Sequence, residues 1–296
     1  MKDIKINNRS KILLMYLTWF FWKIRQAFTH LSDKEPKRIC VLYLSGLGDI
    51  VCDTMFFETL REKWPQAKLS ACFPAAFCEV QKEFFAFDHY IPHRSFWLTL
   101  KRLWSLQADL IILPGWLMRN SLLAIFSNAK AFIGYVNDLS FSNSYLNSYT
   151  LELAGIQAKR CVQDMRNCHL SQRPMAISVA LGLGTYDIEN LEIPRMKEDL
   201  NHAVFHAGAR FEGRRYSEES FAEIAEYLLD QGLVNTVYLV GANEDREINL
   251  RIRSHSKLKT IVDKSGITLR QSLELIRTAK VFVGNDSGPM HLAALA

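Results

Sequence analysis

Apolar residues along the chain fall into short blocks separated by polar, glycine-bearing turns. Residues 38–44 read RICVLYL, a β-branched and aliphatic run with the character of a strand buried on both faces. The run ends in Ser45-Gly46-Leu47-Gly48-Asp49. A helical spacing follows, with Ile50, Met55, Phe56, Leu60 and Trp64 apolar, and it stops at Pro65. Residues 68–73 (KLSACF) give the next strand, which completes a strand, glycine turn, helix, strand unit. The alternation predicts further strands at 110–113, 131–135, 203–206, 236–240, 259–262 and 281–283, and helices near 218–231, 244–254 and 269–278. Residues 161–200 are polar and irregular, with Pro174 and Pro194, and suit a crossover between domains. The pattern predicts an α/β protein of two tandem Rossmann-like, doubly wound domains, at residues 36–180 and 181–296. The second reads as incomplete at its C-terminus, because the chain stops less than three turns into its last helix. No internal repeat or low-complexity tract interrupts the pattern.

Residues 1–35 stand apart. Residues 12–22 (ILLMYLTWFFW) form an apolar run broken only by Thr18. As a helix the run covers about 17 Å, against about 30 Å of bilayer hydrocarbon, so it is too short to span alone. Lys11, Thr18 and Arg25 share one helix face, and Trp19 and Trp22 suit the headgroup level. The segment is expected to lie in the plane of an anionic leaflet, with packing on the protein's own core as the simpler alternative. A secretory signal is disfavoured, since no small-residue cleavage site follows.

Charge sharpens this division. Residues 1–35 hold seven Lys/Arg and three Asp/Glu, whereas the remaining 261 hold 29 and 28. A body so near neutrality gives no broad nucleic-acid patch. Hydrophobic residues at 49% and charged residues at 23% exclude a disordered or collagen-like chain. The six cysteines, at 40, 52, 72, 78, 161 and 168, form no C-x-x-C pair and read as reduced core thiols.

Three turns carry candidate chemistry. In S-G-L-G-D at 45–49, glycines at a strand-to-helix turn let a ligand approach the backbone. Val51 breaks the dinucleotide fingerprint, and a Gly-Lys-Ser/Thr P-loop is absent. Asp49 sits at a helix N-terminus, where it is either a dipole-stabilising acid or a general base. In H-A-G-A-R-F-E-G-R-R-Y at 206–216, small residues expose backbone N–H groups beside Arg210, Arg214 and Arg215, which suits a phosphate. An exposed basic turn is the plainer reading. In G-N-D-S-G-P-M-H-L at 284–292, an acid, a hydroxyl and a helix N-terminus meet at a strand end. An Asp/Ser N-cap alone would need fewer of these residues. His89 and His93 have helical metal-pair spacing, but Pro92 makes the stretch extended. No D-x-D acid pair is present, and no metal site is expected. The tryptophans at 97, 104 and 116 are expected in the core or in a cleft wall.

In this order the three motifs resemble glycosyltransferase family 9, the ADP-heptose:lipopolysaccharide heptosyltransferases. The resemblance covers residues 38–296, carried by L-S-G-L-G-D-I-V-C-D-T, by His206 through F-A-E-I-A, and most specifically by V-G-N-D-S-G-P-M-H-L-A-A. It implies the GT-B fold, with an acceptor-side domain first and a nucleotide-sugar domain second. It also implies an inverting transfer from an ADP-sugar co-substrate to a lipid-linked saccharide acceptor of the lipopolysaccharide core type, without metal or other cofactor. Asp49 would be the general base. Arg214, where the family usually has Lys, would meet the diphosphate, with Gly208 and Ala209 offering backbone contacts. Glu244 would meet the nucleoside and Ile267 the adenine. Asp286 would hold sugar hydroxyls, with Ser287, Gly288 and His291 near the diphosphate. The implied location is cytoplasmic, at the inner face of the membrane. Met55 and Ser217 stand where the family commonly has proline. Three alternatives remain: a truncated relative that binds but does not turn over, a GT-B enzyme with another nucleotide sugar such as a UDP donor, and more distantly a dinucleotide oxidoreductase.

Overall fold

The structure is a computed structural model that describes residues 20, 24, 35–115, 118–136, 150–155, 162–164, 174–185 and 201–296. The chain divides into two compact units, Met1–Ser45 with Cys52–Glu189, and Gly46–Val51 with Asn190–Ala296. The turn after the first strand thus groups with the second unit.

The first unit is built on a seven-stranded sheet in the order β3-β2-β1-β4-β5-β6-β7. Its strands are β1 (Arg38–Leu42), β2 (Lys68–Pro74), β3 (His89–His93), β4 (Leu110–Leu113), β5 (Ala131–Val136), β6 (Thr150–Gly155) and β7 (Val162–Asp164). The first five are parallel, with Ile39 opposite Leu69 and Leu110, and β6 and β7 add antiparallel. The central strands are buried along nearly their whole length, as strands covered on both faces must be. One covered face holds Cys40, Leu42, Cys72, Ile111, Leu113 and Phe132 against Leu103 and Leu123. Burial pushes the Cys40 thiol up to about 12, and the cysteine behaves as a small apolar residue.

The helix expected from Ile50 to Trp64 is two helices. α1 (Leu47–Cys52) and α2 (Thr54–Lys63) meet at Asp53, which leaves the helical backbone at φ −91° and ψ 11°. The stretch around His89 and His93 is strand β3, which pairs with β2 at the sheet edge. Edge strands tolerate proline, and here Pro92 lies opposite Phe73. The His93 ring bonds the Thr99 hydroxyl at 2.8 Å.

Three further helices lie in this unit, α3 (Ala75–Gln81), α4 (Phe96–Leu106) and α5 (Met118–Phe126), followed by α6 (Met175–Ala180). Trp97 and Trp104 on α4 are 77% and 54% exposed, which takes them out of the core, one of their two expected places. The expectation for Trp116 lies outside the described residues. So does the in-plane helix over 12–22, apart from Phe20, which is helical and exposed, as is Ile24. Among the described residues no helix is long and apolar enough to cross a membrane.

The second unit has a four-stranded parallel sheet in the order β10-β9-β8-β11. Its strands are β8 (His202–His206), β9 (Thr236–Gly241), β10 (Ile261–Ser265) and β11 (Val281–Gly284). Helices α7 (Glu218–Asp230), α8 (Arg246–Ser254), α9 (Leu269–Arg277) and α10 (Gly288–Leu295) alternate with them. β10 begins two residues later than its apolar run and continues through polar residues, because an edge strand needs no second apolar face. Asn249, wholly buried on α8, anchors it by donating to the Leu239 carbonyl at 3.3 Å and the Ser265 hydroxyl at 2.9 Å. Ser217 caps α7 by accepting from the Ser220 amide at 3.1 Å.

Candidate functional site

The chain passes from β8 through α7 to β9 on one side of β8, and from β10 through α9 to β11 on the other. The order therefore reverses between β8 and β11, and ligands of open α/β sheets bind outside the strand ends at such a point. His206 and Gly284 end these strands and lie opposite each other in the register.

Asn285 ties the two exits together. Its backbone amide donates to the His206 carbonyl at 3.2 Å. Its side chain donates to the Ala207 carbonyl at 2.8 Å and accepts from the Tyr216 amide at 3.1 Å. The loop at 207–216 is thereby held at both ends by one buried amide. Arg215, itself exposed, braces the loop by donating through two guanidinium nitrogens to the Ala209 carbonyl at 3.0 and 2.9 Å. One of the three expected phosphate cations is therefore a backbone strut.

The other two lie over an aromatic ring. The Arg210 and Arg214 guanidinium groups lie 5.7 and 5.5 Å from the Phe211 ring centroid. Arg214 also pairs with Asp286 at 3.1 Å, each side chain more than half exposed. Exposed pairs of this kind contribute about 0–1 kcal/mol, so a diphosphate can displace the carboxylate from the guanidinium at small cost. The structure thus brings together two residues expected at opposite ends of a sugar diphosphate.

Ser287 precedes α10 in extended backbone and makes no side-chain cap bond. Its hydroxyl instead lies 3.0 Å from His206 Nδ1. The other ring nitrogen, Nε2, lies 3.8 Å from Asp245 Oδ2, which also accepts from the Ala242 amide at 2.9 Å. Burial pushes the His206 imidazole below its ordinary range, and the opposing pull of the Asp245 carboxylate is smaller. A neutral ring with its proton on Nε2 suits both neighbours. Neither His206 nor Asp245 was expected as an organiser. The signal lay in the first residue of the H-A-G-A-R motif.

Two glycines make room for Asp245. A Cβ on Gly208 would collide with its carboxylate, and a Cβ on Gly241, at φ 155°, would stand 2.7 Å from its Cβ. Gly208 was expected for its approach to phosphate; what the structure places against its Cα is this carboxylate. Glu244 is exposed on the short 3-10 turn Asn243–Asp245 after β9. The Gly266 amide donates to the Gly241 carbonyl at 2.9 Å, so Ile267 follows on the neighbouring turn after β10. Ile267 is half-buried and packs with Val204, Val240 and Ile276.

The first motif reaches the third within the second unit. A Cβ on Gly48 would strike the His291 ring, with Nε2 at 3.0 Å, and a Cβ on Gly288 would lie 3.1 Å from Leu47 Cβ. The two segments fit because both positions lack a side chain. Asp49 stands on the segment so held, its Oδ2 3.5 Å from where a Gly46 Cβ would lie. Among the described residues no group of three or more His, Cys, Asp or Glu side chains could hold a metal ion.

Known proteins share this architecture. The structure superposes on a glycosyl transferase of family 9 from Veillonella parvula with a TM-score of 0.65, at 21% identity over 87% of this chain and 77% of that one. It superposes on the E. coli heptosyltransferase WaaC, solved with ADP, with a TM-score of 0.63 at 17% identity, over 87% and 84% of the chains. At such identities these likenesses establish the fold, which is of the GT-B type. A curated sequence relative, lipooligosaccharide heptosyltransferase 2 of Haemophilus ducreyi, is 33% identical over 95 residues. That match takes in 30% of this chain and only 27% of the relative's length. The sequence profile of glycosyltransferase family 9 (heptosyltransferase) matches residues 97–295, about two thirds of the chain. The motifs, the two parallel sheets and this match agree, and the chain belongs to glycosyltransferase family 9.

Proposed function

We propose that the protein transfers a heptose-type sugar from an ADP-linked donor to a saccharide acceptor carried on lipid, with inversion at the anomeric carbon. The observation that carries this reading is the fit of the Leu47-Gly48 turn against Gly288 and His291, which puts Asp49 in the same unit as the residues proposed for the donor. The Asp49 carboxylate takes the proton of an acceptor hydroxyl as its oxygen attacks the anomeric carbon. The bond from that carbon to the diphosphate oxygen breaks, and ADP leaves with the bonding electron pair. Arg214 and the N-terminal amides of α10 oppose the charge that develops on the diphosphate. Asp286, released from Arg214, accepts hydrogen bonds from sugar hydroxyls. Glu244 and Ile267, on neighbouring turns, bracket the nucleoside, and the backbone at Gly208 and Ala209 faces the phosphates. The diphosphate is held by side-chain and backbone donors without a metal ion, in keeping with a sequence that lacks D-x-D. The protein works in the cytoplasm, against the inner face of the membrane that carries its acceptor.

Calorimetric titration with ADP in EDTA, with UDP and GDP as controls, tests the donor half. Saturable binding selective for ADP is expected, and equal binding of UDP would overturn the donor assignment. Asp49→Asn tests the base. It should abolish transfer and spare ADP binding, and undiminished turnover would remove Asp49 from the role.

A further inference from the structure

The outward face of α4 is unlike an ordinary solvated helix surface. Trp97, Lys101 and Trp104 are spaced four and three residues apart and form one exposed stripe. Leu98, 40% exposed, flanks it, and Phe126 at the end of α5 extends it at 43%. The Trp104 indole donates to the Phe126 carbonyl at 2.7 Å, and the Asn128 amide donates to the Trp104 carbonyl at 2.9 Å. The seam between α4 and the end of α5 is thus fixed, with aromatic surface left outside it.

Charge along this stretch of chain is mostly positive. Residues 89–130 hold five Lys/Arg (Arg94, Lys101, Arg102, Arg119 and Lys130) and one acid, Asp109. They carry a net excess of four positive charges, whereas residues 36–88 and 131–296 together hold 24 Lys/Arg and 27 Asp/Glu. Asp109 is turned inward, its side chain 15% exposed and engaged by Lys130 at 2.8 Å and by the Lys37 and Arg38 amides. Neither β3 nor α5, the elements packed against α4, contains an acid. Arg94 and Lys101 are exposed beside the tryptophans.

We propose that this face of α4 docks the protein on an anionic lipid leaflet. Tryptophans at this exposure suit the headgroup boundary, and Arg94, Lys101 and Arg119 meet lipid phosphates. Positive charge without exposed acids is what an anionic surface selects, and a neutral protein partner would have no use for it. Residues 12–22 lie far off in sequence and can act as an independent second signal, as stable peripheral binding requires. The inference does not depend on the transfer reaction, because lipid binding is read without donor or acceptor.

The test uses the full chain and vesicles of phosphatidylcholine with and without about one third phosphatidylglycerol. Binding is expected only with the anionic lipid and should weaken as salt rises. Trp97→Ala is the informative variant. Trp97 is mostly exposed, with its ring set edge-on to Phe96, so the fold and ADP affinity should be unchanged. Loss of one inserted aromatic should weaken vesicle binding about tenfold, and Lys101→Glu should weaken it further. Brominated lipid should quench part of the tryptophan emission, and the quenched fraction should fall in Trp97→Ala. An unchanged quenched fraction, even with binding retained through residues 12–22, would overturn the proposal. So would a wild-type dimer that Trp97→Glu makes monomeric while vesicles go unbound, since the face would then belong to a second copy of the chain.

Discussion

Ser287 Oγ stands 3.0 Å from His206 Nδ1, although the two residues are 81 positions apart, one at the end of β8 and the other three residues past the end of the parallel neighbour β11. A helix-capping serine would have turned its hydroxyl to the amides of α10. This one turns to a buried imidazole, and its hydroxyl faces the Nδ1 of a ring that burial keeps in the neutral state.

That state gives stability a pH dependence of definite sign. The folded protein resists the proton that burial disfavours on His206, whereas the unfolded chain accepts it near pH 6.5. Stability is therefore full above that pH and falls as pH drops through it. His93, lowered by burial and by Arg119, acts in the same direction. Thermal unfolding between pH 8 and 5.5 should show this acid-side loss. His206→Asn should make the slope shallower, and an unaltered slope would assign the loss elsewhere.

In the proposed reaction the Arg214–Asp286 pair divides nucleotide from sugar recognition. Arg214→Ala should lower ADP affinity about 10–100-fold, the scale of a charge-assisted contact. Arg214→Lys should retain most of it. Asp286→Asn removes the carboxylate that competes for the guanidinium, so it should hold or improve ADP binding while weakening the sugar nucleotide relative to ADP. Calorimetry with both ligands distinguishes the two roles, and parallel losses in Asp286→Asn would contradict them.

Gly48→Ala introduces a methyl group into the His291 ring. Overpacking of this kind costs about 1–3 kcal/mol. The chain should be destabilised by that order, and a second substitution, His291→Ala, should recover much of the loss. Additive losses in this cycle would show that the ring yields without strain.

Asn285→Ala leaves the Ala207 carbonyl and the Tyr216 amide without their side-chain partner. With a net loss of about 1 kcal/mol per bond and a further cost for polar groups left buried, destabilisation of about 2–4 kcal/mol is expected in chemical denaturation. Asn285→Asp keeps the acceptor for Tyr216 but sets a buried carboxylate oxygen against the Ala207 carbonyl, and should cost at least as much.

The parallel strands are readable from sequence where both faces are covered, as in Leu110–Leu113 and in the Ala203–Phe205 centre of β8, because burial there leaves no polar residue. At the edges the signal fails. Pro92 hides the pairing of β3, and the polar end of β10 makes that strand look finished at Val262. The motifs carrying Asp49, Arg214, Asp286, Ser287 and His291 are equally visible, since glycines and charged residues at strand ends are local features. Their partners are not local. Arg215 looks like Arg214 in a string of residues, and only the fold sends one to a carbonyl and the other to a carboxylate. Trp97 and Trp104 mislead for the opposite reason: hydrophobicity reads as burial, and nothing in a single helix says which face the protein leaves uncovered.

The stitch made by Asn285 has a consequence for motion. A loop of charged, exposed residues would ordinarily open by itself, on its own low free-energy scale. Here the Tyr216 amide is bonded to the side chain of a buried residue that also holds the start of the loop through its side chain and the end of β8 through its backbone amide. Hydrogen exchange at Tyr216 should then be slow and cooperative with the sheet. The loop should hold its shape before any nucleotide arrives, so that binding begins from an ordered frame.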